Sequence, residues 1–106
     1  MVKYSWLPED KVRVLKSKEK SLSIVGNELR LGILYLLFES KQKLSFNEIA
    51  KKIGIPNNKL AYHISLLKEG NFIENEMRFS NKVVKSFSFY GLSEKGEKTM
   101  ALIEQI

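Results

Sequence analysis

A chain of 106 residues with 43% apolar and 28% charged residues fits one folded domain with a thin core. It contains no cysteine and a single histidine, His63, which excludes a disulfide framework, a cysteine nucleophile and a thiolate metal site. Eighteen basic residues against twelve acidic give a net charge of +6, which suits a polyanionic partner such as nucleic acid, or else a solvated lysine-rich surface.

The N-terminal dozen residues carry no apolar h-region and do not read as a signal peptide. The longest mainly apolar stretch, 29–38, is broken by Arg30 and Gly32 and is too short for a membrane span. A cytoplasmic location is expected. Tyr4, Trp6 and Leu7 are too apolar for a disordered tag. Pro8 followed by Glu9 and Asp10 is a helix start, and the 3–4 spacing of Val12 and Leu15 predicts a helix over 8–20. Its cations (Lys11, Arg13, Lys16, Lys18, Lys20) form a solvated face, or else a phosphate-contacting arm or dimerisation helix.

Residues 23–40 form the most apolar predicted helix, with Leu29, Ile33, Leu36 and Leu37 on one stripe and Leu34 and Phe38 widening it. Asn27 is its candidate N-cap. Gly32, costly in a helix interior, suits a close helix crossing. A polar turn, 41–43, leads to Leu44 as a possible one-pair strand. The stretch 45–70 then reads as two helices joined by a tight turn, a helix-turn-helix. Ser45 and Glu48 make a capping box, Phe46, Ile49, Ala50 and Ile53 are buried, and Gly54 ends the first helix at positive φ. Pro56 opens the second, with Asn57 or Asn58 in the capping region. Leu60, Ile64 and Leu67 are its inward stripe, and Gly70 stops it.

Residues 72–79 and 83–92 predict a hairpin around the tip 80–82. Alternation places large apolar groups on both faces. One face should cover the helices. The other would expose Phe87 and Phe89, and is expected to be covered by Tyr4, Trp6 and Leu7 or by a partner subunit. Ser93, with acids after it, caps a final helix over 93–106 whose apolar residues include Met100, Leu102, Ile103 and Ile106. The fold class is therefore α+β, mainly helical: a winged helix-turn-helix with a two-stranded hairpin wing (72–92) and extra N- and C-terminal helices, in one domain.

Three stretches, IVGNELRLGILYLL (24–37), LSFNEIAKKIGIPNNKLAYHISLLKEGNFIE (44–74) and YGLSEKG (90–96), resemble the winged-helix repressors of the ArsR type and their archaeal relatives, more than MarR-like or PadR-like proteins. The match spans residues 20–100. The resemblance implies a homodimer reading a palindromic operator. The chain departs from the family in lacking the Cys or His clusters of its metal sensors, so no metal or other cofactor is expected. It also departs at Pro56, Asn57 and Asn58, which replace a Ser-Gln-Ser-type start of the recognition helix, so base contacts there do not carry over.

A helix fits the major groove with its N-terminal half against base edges. The candidate base-contacting residues are Asn57, Asn58, Lys59, Ala61, Tyr62 and Ser65. Asn57 and Asn58 pair with adenine, or merely cap the helix. Lys41, Lys43, Lys51 and Lys52 are the candidate phosphate contacts. Arg78, Asn81, Lys82 and Lys85 are the wing candidates for a minor groove, or solvated. A dimer or partner surface is assigned to Trp6, Leu15, Phe87, Phe89, Met100 and Ile103. His63 is a hydrogen-bonding residue at the core edge, or a pH switch or metal ligand. No nucleophile triad, glycine-rich phosphate loop or carboxylate pair is present, which argues against an enzyme. The expected function is a homodimeric, sequence-specific regulator bound to double-stranded DNA, with no membrane or metal partner. The alternative is a winged-helix protein–protein interaction module in a transcription or other complex. RNA binding ranks behind both, because the aromatics form no single-strand stacking platform.

Overall fold

The computed structural model describes residues 5–80 and 85–106, the side chains at 80, 85 and 86 apart. Tyr4, Asn81 and Lys82, and the side chain of Lys85, thus lie outside the described residues. Five helices, α1 (Glu9–Val25), α2 (Glu28–Ser40), α3 (Phe46–Ile53), α4 (Asn57–Glu69) and α5 (Glu94–Ile103), surround one end of a small sheet. The strands are β1 (Leu44–Ser45), β2 (Ile73–Ser80) and β3 (Lys85–Leu92), all antiparallel in the order β1-β3-β2. This is a winged helix-turn-helix, with β1 adding a third, two-residue strand to the expected hairpin.

Helix boundaries follow local chemistry. α1 runs past the expected residue 20 to Val25, because no breaker occurs before Gly26. Ile24 and Val25 therefore belong to α1, where they are its buried residues, and not to the apolar helix that follows. Asn27 does cap α2: its Oδ1 accepts from the N–H groups of Leu29 and Arg30 at 3.0 and 3.1 Å. The two helices meet at 79°. At Ser45 the capping box is complete in both directions. Glu48 N–H donates to Ser45 Oγ at 3.1 Å, and Ser45 N–H donates to the Glu48 carboxylate at 2.9 Å. The bond from the Ser45 N–H, with the Ser45 hydroxyl beside it, holds the Glu48 carboxyl below its ordinary pKa. Gly54 closes α3 at φ 76°, in the left-handed region where glycine carries no Cβ penalty.

The core lies between α2, α3, α4 and α5 and the near end of the sheet. Ile33, Leu34, Ile49, Leu60, Leu67, Phe72 and Met100 are its fully buried side chains. Met100, expected on a partner surface, is 0% exposed. It belongs to the protomer's own core, because α5 turns its Gly96–Met100 side inward. Ile103 is half-buried against the same cluster. Gly32 lies beside α3, but a Cβ there would meet Ile53 Cδ1 at an ordinary 3.9 Å, so the crossing does not demand glycine.

The start of α5 is the tightest joint. Ser93 Oγ accepts from Gly96 N–H at 3.0 Å and donates to the Asn71 carbonyl at 2.6 Å. Ser93 N–H donates to the Phe72 carbonyl at 3.0 Å. This brings Gly96 so close to the backbone that an added Cβ would sit 2.1 Å from the Phe72 oxygen. The glycine of the LSEKG stretch is thus required by close approach, not by φ. Gly96→Ala should destabilise the chain by about 1–3 kcal/mol, the usual cost of overpacking. Urea unfolding checks this, with Lys98→Ala on the exposed side of α5 expected to change little.

Candidate nucleic-acid interface

Helix α4 buries Leu60, His63, Ile64 and Leu67 and leaves Asn57, Asn58, Lys59, Ala61, Tyr62, Ser65 and Lys68 exposed. All six residues expected to meet bases therefore share the accessible side of this helix. No side chain caps α4 at Pro56. Asn57 and Asn58 lie inside the helix as its first two residues, which leaves both amides directed at solvent and not spent on capping. Tyr62 is 60% exposed, and its ring stands edge-on to His63 with centroids 5.2 Å apart.

His63 is buried where α4 meets the α1–α2 corner. Arg30 explains its position. The Arg30 Nε–H donates to the Ile24 carbonyl at 2.6 Å, one terminal N–H group reaches His63 Nδ1 at 2.9 Å, and the other reaches the Ser23 carbonyl at 3.5 Å. A guanidinium can only donate, so Nδ1 must accept and the ring is neutral with its proton on Nε2. Burial pushes the His63 pKa below its ordinary value, and the charges of Arg30 and Lys59 push the same way. Arg30 is the residue that sequence reasoning missed. By pattern alone it is only an interruption of an apolar helix. Its signal is that a lone charge in such a helix, beside a helix C-terminus, needs acceptors, and carbonyls at a helix end supply them.

The flanking cations divide into two groups. Lys51 and Lys52 are exposed in the last turn of α3, and Lys41 is exposed where α2 ends at φ 57°. Lys43 behaves differently. It is half-buried over Gly91, with its Nζ 3.9 Å from Glu74 and 3.8 Å from Glu76. Arg78 donates to Glu76 at 2.6 Å and lies 4.1 Å over the Phe89 ring. The bond from Arg78, with Lys43 nearby, holds the Glu76 carboxyl below its ordinary pKa. Strand alternation puts Glu74, Glu76, Arg78, Phe87, Phe89 and Gly91 on one face of the wing. Tyr90 lies on the opposite face, and there it lines a shallow cavity of about 260 Å³ with Phe46, Ala61, Ile64, Ser65 and Lys68. Lys43 and Arg78 are thus turned to the far side of the sheet from the exposed residues of α4, and both are engaged with carboxylates.

Among the residues assigned to a partner surface, Trp6, Leu15 and Phe87 are exposed and Phe89 is half-buried beneath Arg78. Among the described residues, no three His, Asp or Glu side chains gather into a metal-holding group, and no single helix is long and apolar enough to cross a membrane.

A family model for a helix-turn-helix domain matches residues 25–76, which run from the end of α1 into the wing. Solved structures of low sequence identity share the fold. NolR from Sinorhizobium fredii superposes with a TM-score of 0.74 at 23% identity, covering 93% of this chain and 92% of that one. The transcriptional repressor BigR from Xylella fastidiosa gives 0.70 at 21% identity, with 92% and 89% covered. The homodimeric winged helix-turn-helix DNA-binding domain of Mb0332 from Mycobacterium bovis, described as a possible ArsR-family transcriptional regulator, gives 0.71 at 20% identity, with 95% and 87% covered. No curated protein matches the chain in sequence.

The depressed His63 pKa makes stability depend on pH with a definite sign. The unfolded ring takes up a proton near its ordinary pKa of about 6.5, while the folded ring resists it. This contribution is therefore fully present above that value and is lost as pH falls through the lower folded-state pKa. The melting temperature should fall between pH 8 and pH 5, and by less in His63→Gln, which keeps an acceptor for Arg30 but does not titrate. Thermal melts at matched ionic strength check the difference.

Proposed function

We propose that this chain is a homodimeric transcriptional regulator that binds double-stranded DNA with sequence preference, of the ArsR-like kind. One observation carries the reading. The six polar or small positions Asn57, Asn58, Lys59, Ala61, Tyr62 and Ser65 stand together on the uncovered side of α4, within a winged helix-turn-helix of net charge +6. In the major groove, the amides of Asn57 and Asn58 match the N6/N7 edge of adenine. Ala61 allows close approach. Tyr62 lays its ring against sugar or a thymine methyl, with its hydroxyl on a phosphate. Lys51, Lys52, Lys59 and Lys68 neutralise phosphates.

Dimerisation is supported by the terminal helices. Most of α1 ahead of Ile24 packs against little of the protomer, and Val14, Leu15 and Leu22 are exposed along it. Leu15 and Leu22 lie seven residues apart, on one side of the helix. Leu102 and Ile106 are exposed at the other end of the chain. A second protomer would cover this apolar surface, which soluble monomers rarely leave open. Two structural neighbours support the same reading: one is a homodimeric DNA-binding domain and another a transcriptional repressor.

Three measurements test the reading. Duplex binding should weaken linearly on a log–log salt plot, with a slope of about −0.9 per phosphate neutralised. Lys59→Glu combined with Tyr62→Ala should lower affinity by about tenfold or more without changing the melting temperature, since both side chains are exposed. An unchanged affinity in that variant would sink the assignment of α4. For the dimer, Leu15→Glu with Leu22→Glu should convert the species seen by sedimentation equilibrium to a monomer. A variant still dimeric would place the interface elsewhere.

A further inference from the structure

The wing has an apolar side that neither the core nor the charged cluster uses. Alternation along β2 puts Ile73, Asn75, Met77 and Phe79 on one face, with Leu92, Tyr90 and Ser88 of β3 beside the first three. The near end of this face is core: Ile73 and Tyr90 are buried. The far end is open. Met77 is 58% exposed and Phe79 is 75% exposed, with Ser88 Oγ 3.1 Å from the Met77 sulfur. A phenylalanine so far out on a strand gains nothing for folding that a polar residue would not.

Its direction identifies what it meets. Tyr90 of this face lines the same cavity as Ala61, Ser65 and Lys68, so the face borders the exposed side of α4. Phe79 lies four residues beyond Asn75, the register partner of Tyr90. At a strand rise of about 3.3 Å per residue that is about 13 Å outward. The major groove is about 12 Å wide. With α4 seated in that groove, a wing of this reach would pass one sugar–phosphate strand and bring Phe79 to the adjacent minor groove. The basic surroundings favour the same occupant, since Lys68 lines the cavity and Lys51, Lys52 and Lys59 are exposed on the helix-turn-helix. Arg78 does not offer the usual cationic minor-groove contact here, because it points to the opposite face and is held by Glu76.

We propose that Phe79, backed by Met77, is an apolar wedge that enters the minor groove beside the recognition helix and partly unstacks a base step, bending the duplex. The inference rests on the DNA-binding reading and adds a mode of contact to it. Side chains such as Phe and Met do this in proteins that bend DNA, with kinks of about 20–90° toward the major groove. Flexible pyrimidine–purine steps would be preferred there, which gives sequence choice at a position with no base-edge hydrogen bond.

The test uses the full chain and a 30-base-pair duplex enriched from a random pool by the wild-type chain, with a donor and an acceptor fluorophore at its ends. Wild-type binding should shorten the end-to-end distance. Phe79→Ser should leave the bound duplex near straight and weaken binding by about tenfold, the scale of one lost base–aromatic contact. Its salt slope should match wild type, because no phosphate contact is lost. Phe79→Leu should restore most of the bend. Equal bending and affinity in wild type and Phe79→Ser would overturn the wedge while leaving DNA binding intact. So would conversion of a dimer to a monomer by Phe79→Ser without DNA, which would assign the face to a second copy. Failure of the wild-type chain to enrich any duplex would overturn the DNA-binding reading and the wedge with it.

Discussion

The position of α4 depends on one side chain, Arg30. Its guanidinium joins three elements at a single point: the last carbonyls of α1, the first turn of α2 and the buried His63 of α4. Each contact has a physical reason. Carbonyls at a helix C-terminus lack intrahelical partners and carry the negative end of the helix dipole. A planar, always-charged fork of donors can satisfy several of them at once. The histidine must then be neutral and must accept, so the cluster leaves no buried donor facing a donor. α4 could slide on its leucines and isoleucine at modest cost, since apolar contacts are non-directional. The Arg30–His63 bond is directional and sets where the Tyr62 ring, edge-on to His63, emerges.

The far end of α4 is held by a matching polar joint. Lys95 donates to the Gly70 carbonyl at 2.9 Å, lies 4.5 Å over the Phe72 ring and reaches Ser21 Oγ at 3.3 Å. Lys20 pairs with Glu69 at 2.9 Å nearby, an exposed pair that contributes little alone. Together these contacts bring α1, α4 and α5 to the one corner where Gly96 approaches the Phe72 backbone. Terminal helices and recognition helix are thus coupled through short polar contacts at both ends of α4. A second protomer docked on α1 and α5 would therefore constrain the direction in which α4 points.

Much of this was legible in the sequence, and the parts that were not share a cause. Local chemistry was readable: the Asn27 cap, the Ser45–Glu48 box, the left-handed Gly54 and the Ser93 cap all depend on residues within three positions of one another. The inward stripe of α4 was readable from its spacing. Missed features depend on partners far away in the chain. Arg30 meets His63 thirty-three residues later, and Lys43 meets carboxylates on β2, a strand that patterning finds but does not bring beside Lys43. Met100 has the composition of an interface residue and of a core residue alike, and only the packing of α5 on Phe72 decides between them. The break between the first two helices was misplaced because Ile24 and Val25 fit the apolar run on either side of Gly26.

The wing shows how one strand pair can serve two needs by alternation. On one face Lys43, Glu74, Glu76 and Arg78 form a chain of charges laid over Phe89. Each pair is partly exposed and contributes little to stability singly. Their joint effect is geometric: they tie the β1 approach to both hairpin strands and hold the wing at a set angle to the body. Among the described residues the other face has no such ties, and Met77 and Phe79 stand out from it. A group that must push between stacked bases needs a rigid mount, because any freedom in the mount is lost as entropy on binding. Cations on the far face and apolar groups on the near one are the arrangement that supplies it. The same residues on exchanged faces would give a wing that only trails along the phosphates.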